Sequence, residues 1–410
     1  MSRKFIEQEG RRWTELGIVT PVQYEQILHL YSDKKHAIGL IPILGSILVG
    51  LGILSFVAAN WQDIPQLARL LIIFTAMLGF YGAGEGMLRK DHEKLGIAFI
   101  GLGLITFGAG IILIAQMFHL EAYDATSWIV WGAAGVGLTY LYQSRYLFLI
   151  TALLLAIAQW YSVGEFHQFS YAAAVLWVIG LGYYAWKKQD GLLVWLLSIN
   201  FIVQSIMLVT VNDWKFIWVF VPILALYTLG DCAHHRKAAY PLQSAPLIAA
   251  FLFDLFIVWF TGKGQYWNVH DELLAATLPF ITVFVVLMGL SLFFKMRSGR
   301  AISGVEWVLM PILLYATDYA DVVYLLVLFF FSLFLLWRGF IEEGRFKINL
   351  ATILFLCSTM TAYGKLTWDF MDKSLFFILG GILLLVISWF VNQRKKALFK
   401  KTEEGNDHAS

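Results

Sequence analysis

Three groups of polar residues in this chain have the types and spacing to do chemistry. The first is Asn60-Trp61-Gln62-Asp63-Ile64-Pro65, followed by Arg69. An amide, an indole, a carboxylate and a guanidinium that close together can bind a small polar solute or an ion. The same residues also suit a rigid hairpin. Trp61 would sit at a membrane interface, Pro65 would open the next helix and Asp63 would pair with Arg69. The second group is Gln116, His119, Glu121 and Asp124. It lacks an HExxH motif, a His pair at i,i+4 and paired cysteines, so no metal site is assigned and no cofactor is implied. Its place in the chain suits the facing wall of a mouth begun by Asn60–Arg69. The third group lies within apolar sequence. Asp254 is near the middle of a hydrophobic run, and Asn200 and Gln204 stand one helical turn apart in another. An ionised aspartate at mid-bilayer costs about 2.5–3.5 kcal/mol, so such a residue faces a cavity or a partner. Two readings stand: a protonated carboxyl hydrogen-bonded to a neighbour, or a proton or cation relay in which Asn200 and Gln204 line the same cavity. No residue is assigned a catalytic role.

The elements that position these groups are set by solvent. From Ile38 to Val391 the chain is a succession of apolar runs of roughly 17–25 residues, the length a helix needs to cross a bilayer. Charged residues make up 14% of the chain and hydrophobic ones 59%, with mean hydropathy +0.70. Soluble domains are about a quarter charged, so water cannot be the main solvent here. The fold expected is all-α, a polytopic bundle of about 14 spanning helices. The spans fall at 38–59, 66–88, 95–117, 126–142, 145–163, 170–186, 191–211, 214–233, 243–262, 272–295, 301–317, 321–339, 347–364 and 373–393.

Charge placement tests this threading independently of hydropathy. Basic residues gather in the N-terminal segment, in every second link and in the tail. Only Arg69, Lys215, Lys263, Lys365 and Lys373 fall on the other side. By the positive-inside rule, both termini are cytoplasmic. The opposite side is acidic, carrying Asp63, Glu121, Asp124, Glu165, Asp213, Asp271 and others. Short turns free of basic residues explain that; a cation-attracting vestibule is the functional alternative. A net charge of +2 gives no reason to expect nucleic-acid binding. Cys232 and Cys357 both lie in apolar runs and read as small hydrophobes.

Four regions follow. Residues 1–36 form a cytoplasmic amphipathic helical segment with no signal-peptide core. Within it, Thr20-Pro21-Val22-Gln23 has a capping-box pattern, and the segment offers a surface for a protein partner. Residues 37–165 form a Gly-rich bundle in which Gly82 and Gly86 have GxxxG spacing. Residues 166–394 add further membrane helices, and 395–410 form a basic, then disordered, tail. Val49-Gly-Leu-Gly-Ile-Leu-Ser-Phe-Val-Ala-Ala59 is similar to Ile100-Gly-Leu-Gly-Leu-Ile-Thr-Phe-Gly-Ala-Gly110. The two stretches would run parallel, whether by duplication or by the chance likeness of glycine-rich helices.

Several of these residues carry a family likeness. Trp13…Gly17-Ile18-Val19-Thr20, then Gly50-Leu-Gly52…Ala58-Ala59-Asn60-Trp61…Ile64-Pro65…Arg69, then Gly108…Ile114-Ala115-Gln116-Met117-Phe118-His119-Leu120 resemble a large bacterial family of membrane proteins known as domain of unknown function 2157. The resemblance covers roughly residues 10–165. At the last element the family commonly has a Gln-Ile-Tyr-His type sequence, from which Met117 and Phe118 depart. The resemblance implies a bacterial inner-membrane location and supplies no activity or catalytic residues. Three functions remain. The first is a secondary transporter or permeation protein for a small solute or ion, with Asp254 carrying coupling protons and the outer groups forming a gate. The second is a non-catalytic envelope, sensory or assembly component. The third is an intramembrane enzyme acting on a lipid-linked substrate. The bilayer is the partner common to all three.

Overall fold

The computed structural model describes residues 36–59, 64–233, 237–260, 277–298, 305–315, 320–341 and 345–367, with scattered positions before and after them. Among the described residues the chain is all-helical, with no strand. Its thirteen α-helices are α1 His36–Ala59, α2 Gln66–Arg89, α3 Glu93–Met117, α4 Thr126–Tyr142, α5 Arg145–Phe166, α6 Tyr171–Val175, α7 Gly182–Lys188, α8 Gly191–Val211, α9 Phe220–Cys232, α10 Ala239–Phe260, α11 Thr277–Arg297, α12 Ala320–Ile341 and α13 Arg345–Thr367. A π-helix, Leu176–Leu181, joins α6 to α7. Short 3-10 helices cover Phe216–Val219, Val305–Leu309 and Pro311–Tyr315.

Seven of these helices are long and apolar enough to cross a membrane: α2, α3, α5, α8, α10, α11 and α12. The expectation of an all-α bundle of membrane-length helices is therefore met, with seven such spans among the described residues. Three expected spans carry turns that are not α-helical. The run at 170–186 is one continuous helix from Tyr171 to Lys188 that carries a π-helical turn at Leu176–Leu181. The run at 214–233 opens with a 3-10 turn. The run at 301–317 holds two 3-10 segments meeting at Met310-Pro311. Proline lacks the amide that would continue a helix, and it biases the preceding residue away from helical backbone. In the expected span 373–393 the described residues are 375, 378–382, 385, 386, 389 and 393, and each of them is helical. Large apolar side chains point outward along the long helices, and Leu278 on α11 is 78% exposed. Such surface suits hydrocarbon rather than water.

The chain divides into two compact units, Met1–Leu154 and Leu155–Ser410. In the first, α3 is central and packs on α1, α2 and α4. The close contact between α2 and α3 is made by Gly84 and Gly96: a Cβ on Gly96 would lie 2.9 Å from the Gly84 carbonyl oxygen. The GxxxG pair Gly82/Gly86 is not the contact, since a Cβ at either would meet nothing within 4 Å. Gly108 receives the Trp131 ring, whose Nε1 donates to the Leu104 carbonyl at 2.8 Å. Gly50 sits against Leu102 and Ile105, and Ile53 against the cluster containing Ala109 and Leu113. Positions rising along α1 thus meet positions rising along α3, so the two similar stretches lie side by side and parallel. At the N-terminus, Thr20 N donates to Gln23 Oε1 at 3.0 Å and Gln23 N donates to Thr20 Oγ1 at 3.3 Å, the reciprocal bonds of a capping box.

In the second unit, α10 packs on α8, α9, α12 and α13, and α11 packs on α9. Its largest core joins Phe220, Phe251, Phe280, Trp307, Tyr324 and Leu328. Glu306 fixes the direction of three helices. Tyr227 near the end of α9, Lys295 near the end of α11 and Arg338 near the end of α12 all meet its carboxylate. These three helices therefore run the same way. Lys365 near the end of α13 reaches Asp321 at the start of α12, at 3.6 Å, so α13 runs opposite to α12.

Candidate functional site

The first group of sequence candidates lies where α2 begins. Asn60, Trp61 and Asp63 are outside the described residues, and the expected Asp63–Arg69 pair with them. Arg69 Nε donates to the Ile64 carbonyl at 2.6 Å, closing the turn around Pro65. Gln66 Nε2 donates to the Met117 carbonyl at 3.4 Å. The start of α2 and the end of α3 are thus neighbours, which brings Arg69's turn and the Gln116–Asp124 stretch to the same end of the first unit. Gln66, which the sequence did not single out, is the residue that joins them.

The second group is engaged locally. His119 has φ 51° and follows the last turn of α3. Leu120 N donates to the Ala115 carbonyl at 2.9 Å and His119 N to the Gln116 carbonyl at 3.4 Å, the two bonds of a Schellman cap. The His119 backbone is therefore part of a helix stop. Glu121 Oε2 accepts from the Tyr123 hydroxyl at 3.1 Å, and Asp124 Oδ1 accepts from Thr126 N at 2.8 Å. Hydrogen bonds from the Thr126 side chain and backbone hold the Asp124 carboxyl below its ordinary value. That support of the start of α4 is present above pH ~4 and is lost as the pH falls through the lowered value. Gln116, His119, Glu121 and Asp124 are all exposed. Among the described residues no three His, Cys, Asp or Glu side chains gather to hold a metal ion.

The third group lies in the second unit, with Gln204 and Asp254 buried and Asn200 half-buried. Gln204 Nε2 donates to Asn200 Oδ1 at 2.6 Å, so the i,i+4 pair on α8 satisfies part of its own hydrogen bonding. Asp254 on α10 is fully buried, and among the described residues neither carboxyl oxygen has a hydrogen-bond partner. Phe251, Ile257 and Val258 beside it on α10 belong to the main apolar core. Tyr324, across on α12, belongs to the same core cluster as those three residues. The Tyr324 hydroxyl donates to the Met310 carbonyl at 3.3 Å, at the join of the two 3-10 segments. Asp254, Tyr324 and the Met310-Pro311 interruption thus form one buried polar constellation. Irregular backbone at membrane depth is tolerated where it is enclosed by protein, as the buried Leu309, Met310 and Leu314 are here.

A fourth group escaped the sequence reading. Glu306 Oε2 accepts from the Tyr227 hydroxyl at 2.6 Å and from Lys295 Nζ at 3.0 Å, and Glu306 Oε1 meets Arg338 Nη1 at 3.5 Å. Lys295 Nζ also lies 3.0 Å from the Tyr227 hydroxyl. One helical turn from Tyr227, buried Asp231 accepts from Gln243 Nε2 at 2.7 Å and from Ser291 Oγ at 2.5 Å. By charge placement Lys295 and Arg338 belong with the basic residues of the alternate links. The signal that was present is Glu306, the lone acid in the apolar run 301–317.

Residues 11–148 match the model of a family described as predicted membrane protein, DUF2157, the same family whose resemblance rests on the Asn60-Trp61…Pro65…Arg69 and Gln116…His119 elements. No curated protein and no solved structure matches the chain.

Proposed function

We propose that this membrane protein is a secondary transporter or permeation protein, moving a small solute or ion with protons as the coupling species, and that Asp254 carries the proton. The observation that supports this reading most is the Asp254 carboxyl, fully buried among apolar side chains with neither oxygen partnered among the described residues. An ionised group there meets a large desolvation penalty, so uptake and release of a proton is coupled to whatever opens the site to water. The broken segment at Met310-Pro311, tied to Tyr324, is the element that can open it. Transporters place their coupling sites beside such interruptions. The threading that accompanies this proposal puts several passes in a bacterial inner membrane, with both termini in the cytoplasm, on the strength of the basic-residue alternation. The test is solute-driven proton movement in proteoliposomes containing a pH dye. A panel of sugars, amino acids, organic ions and metal cations is applied to the full chain and to Asp254→Asn. A solute that acidifies the lumen with wild type and not with Asp254→Asn supports the proposal. Equal acidification by both rejects Asp254 as the carrier; no change of lumenal pH in either direction with any solute rejects proton coupling.

A further inference from the structure

The second unit also carries an apolar groove of ≈ 390 Å³ that the transport reading does not use. It lies between the π-helical turn, α7, α8, α9 and the first turn of α10. Its floor is buried, at Trp177, Val194 and Leu226, while its rim is exposed, at Val178, Tyr183 and Leu229. Two features keep it open. The π-helix Leu176–Leu181 widens one turn, and Gly182, next in the chain, has no side chain to fill the gap. Ser198, at its wall, turns its hydroxyl back onto the Val194 carbonyl at 2.8 Å and so presents no donor to the groove. From Trp186 to Trp177 the groove follows its helix for about 14 Å, close to the depth of one leaflet's hydrocarbon, about 15 Å.

The shallow end of the groove is basic. Lys187 and Lys188 follow Trp186 directly in the last turn of α7, and both are exposed. Lys188 Nζ stands 5.9 Å from the centre of the Tyr184 ring. Lys237, in the link before α10, is exposed as well. The neighbouring acid Asp190 is occupied in capping α8, accepting from Leu192 N at 3.2 Å. A one-leaflet-deep apolar slot with cations at its shallow end is complementary to one molecule: a two-part amphiphile with a hydrocarbon tail and an anionic head.

We propose that this groove holds one acyl chain of an anionic glycerophospholipid, with the phosphate at Lys187 and Lys188. The chain lies along Trp186, Tyr183 and Leu229 and ends against Trp177. The lipid seals a seam that the side chains of α7, α8 and α9 leave unfilled, and the lysines select its head group. The test is native mass spectrometry of the full-length protein released from nanodiscs containing equal phosphatidylglycerol and phosphatidylcholine with identical tails. The expected result is one retained phosphatidylglycerol per chain. In K187Q/K188Q the preference for phosphatidylglycerol falls about thirtyfold, the electrostatic worth of two basic residues beside anionic lipid. In Val178→Trp, which fills the rim, both lipids are lost; Leu229→Trp serves the same purpose on the opposite wall if the first variant does not fold. Equal retention of the two lipids by wild type, an unchanged preference in K187Q/K188Q, or undiminished retention in both rim-filling variants would overturn the proposal.

Discussion

His119 illustrates how one residue can look chemical and serve as architecture. Its imidazole drew attention as a ligand type, yet its backbone occupies the left-handed region at the end of α3. Asp91 and Asp213 do the same at the ends of α2 and α8. Histidine and aspartate tolerate that conformation better than most residues, and glycine tolerates it best. His119→Gly is therefore expected to raise stability by about 1 kcal/mol, through relief of left-handed strain, seen as a higher thermal midpoint in detergent. A lower midpoint would mean that the imidazole itself holds the turn. Asp254 is the opposite case. Sequence marked it by an expensive side chain in an apolar run, and its surroundings leave that expense unrelieved.

Between helices, the contacts turn on shape. Trp131 lies on Gly108 so closely that a Cβ there would fall 2.1 Å from the indole ring, and the indole N–H is fixed by the Leu104 carbonyl. Gly108→Val should destabilise the first unit by about 3 kcal/mol or more, since overpacking and loss of a buried hydrogen bond act together. Loss of the folded fraction in size-exclusion chromatography would report it; a normal elution profile and thermal midpoint would show that Trp131 has room to move. Hydropathy made the helices legible, and 191–211 coincides with α8 at both ends. It could not tell which glycine of Gly82, Gly84 and Gly86 faces α3, because facing depends on helix rotation rather than on spacing alone. Nor could it separate Lys295 and Arg338 from ordinary loop charges. Their role depends on Glu306, which chain folding alone brings to them. The interruption at Met310-Pro311 was visible as a proline, whereas the π turn at Leu176–Leu181 has no comparable marker in its sequence.

For the molecule as a whole, the two units keep different kinds of interior. The first is closed by glycine and small residues around α3, with hydroxyl pairs such as Ser46 with Tyr146 at 2.6 Å. The second is aromatic, and it holds the buried charges. This division agrees with the reach of the family match, which ends at residue 148. The part shared with that family is thus the tightly packed one. The groove, the ionic cluster around Glu306 and the Asp254 constellation all lie beyond it.

The convergence of three helix ends on Glu306 has a consequence for sidedness. Since α11 and α12 point the same way, the intervening chain must return from one end of these helices to the other, although its described part, 305–315, is not α-helical. Each of its two 3-10 segments, Val305–Leu309 and Pro311–Tyr315, rises about 10 Å at about 2.0 Å per residue. A membrane-impermeant maleimide applied to sealed, right-side-out vesicles should accordingly modify a cysteine placed at Ser298 or one at Asp321, in a background lacking the native thiols, but never both. Labelling of both from a single compartment would mean that this stretch turns back without crossing.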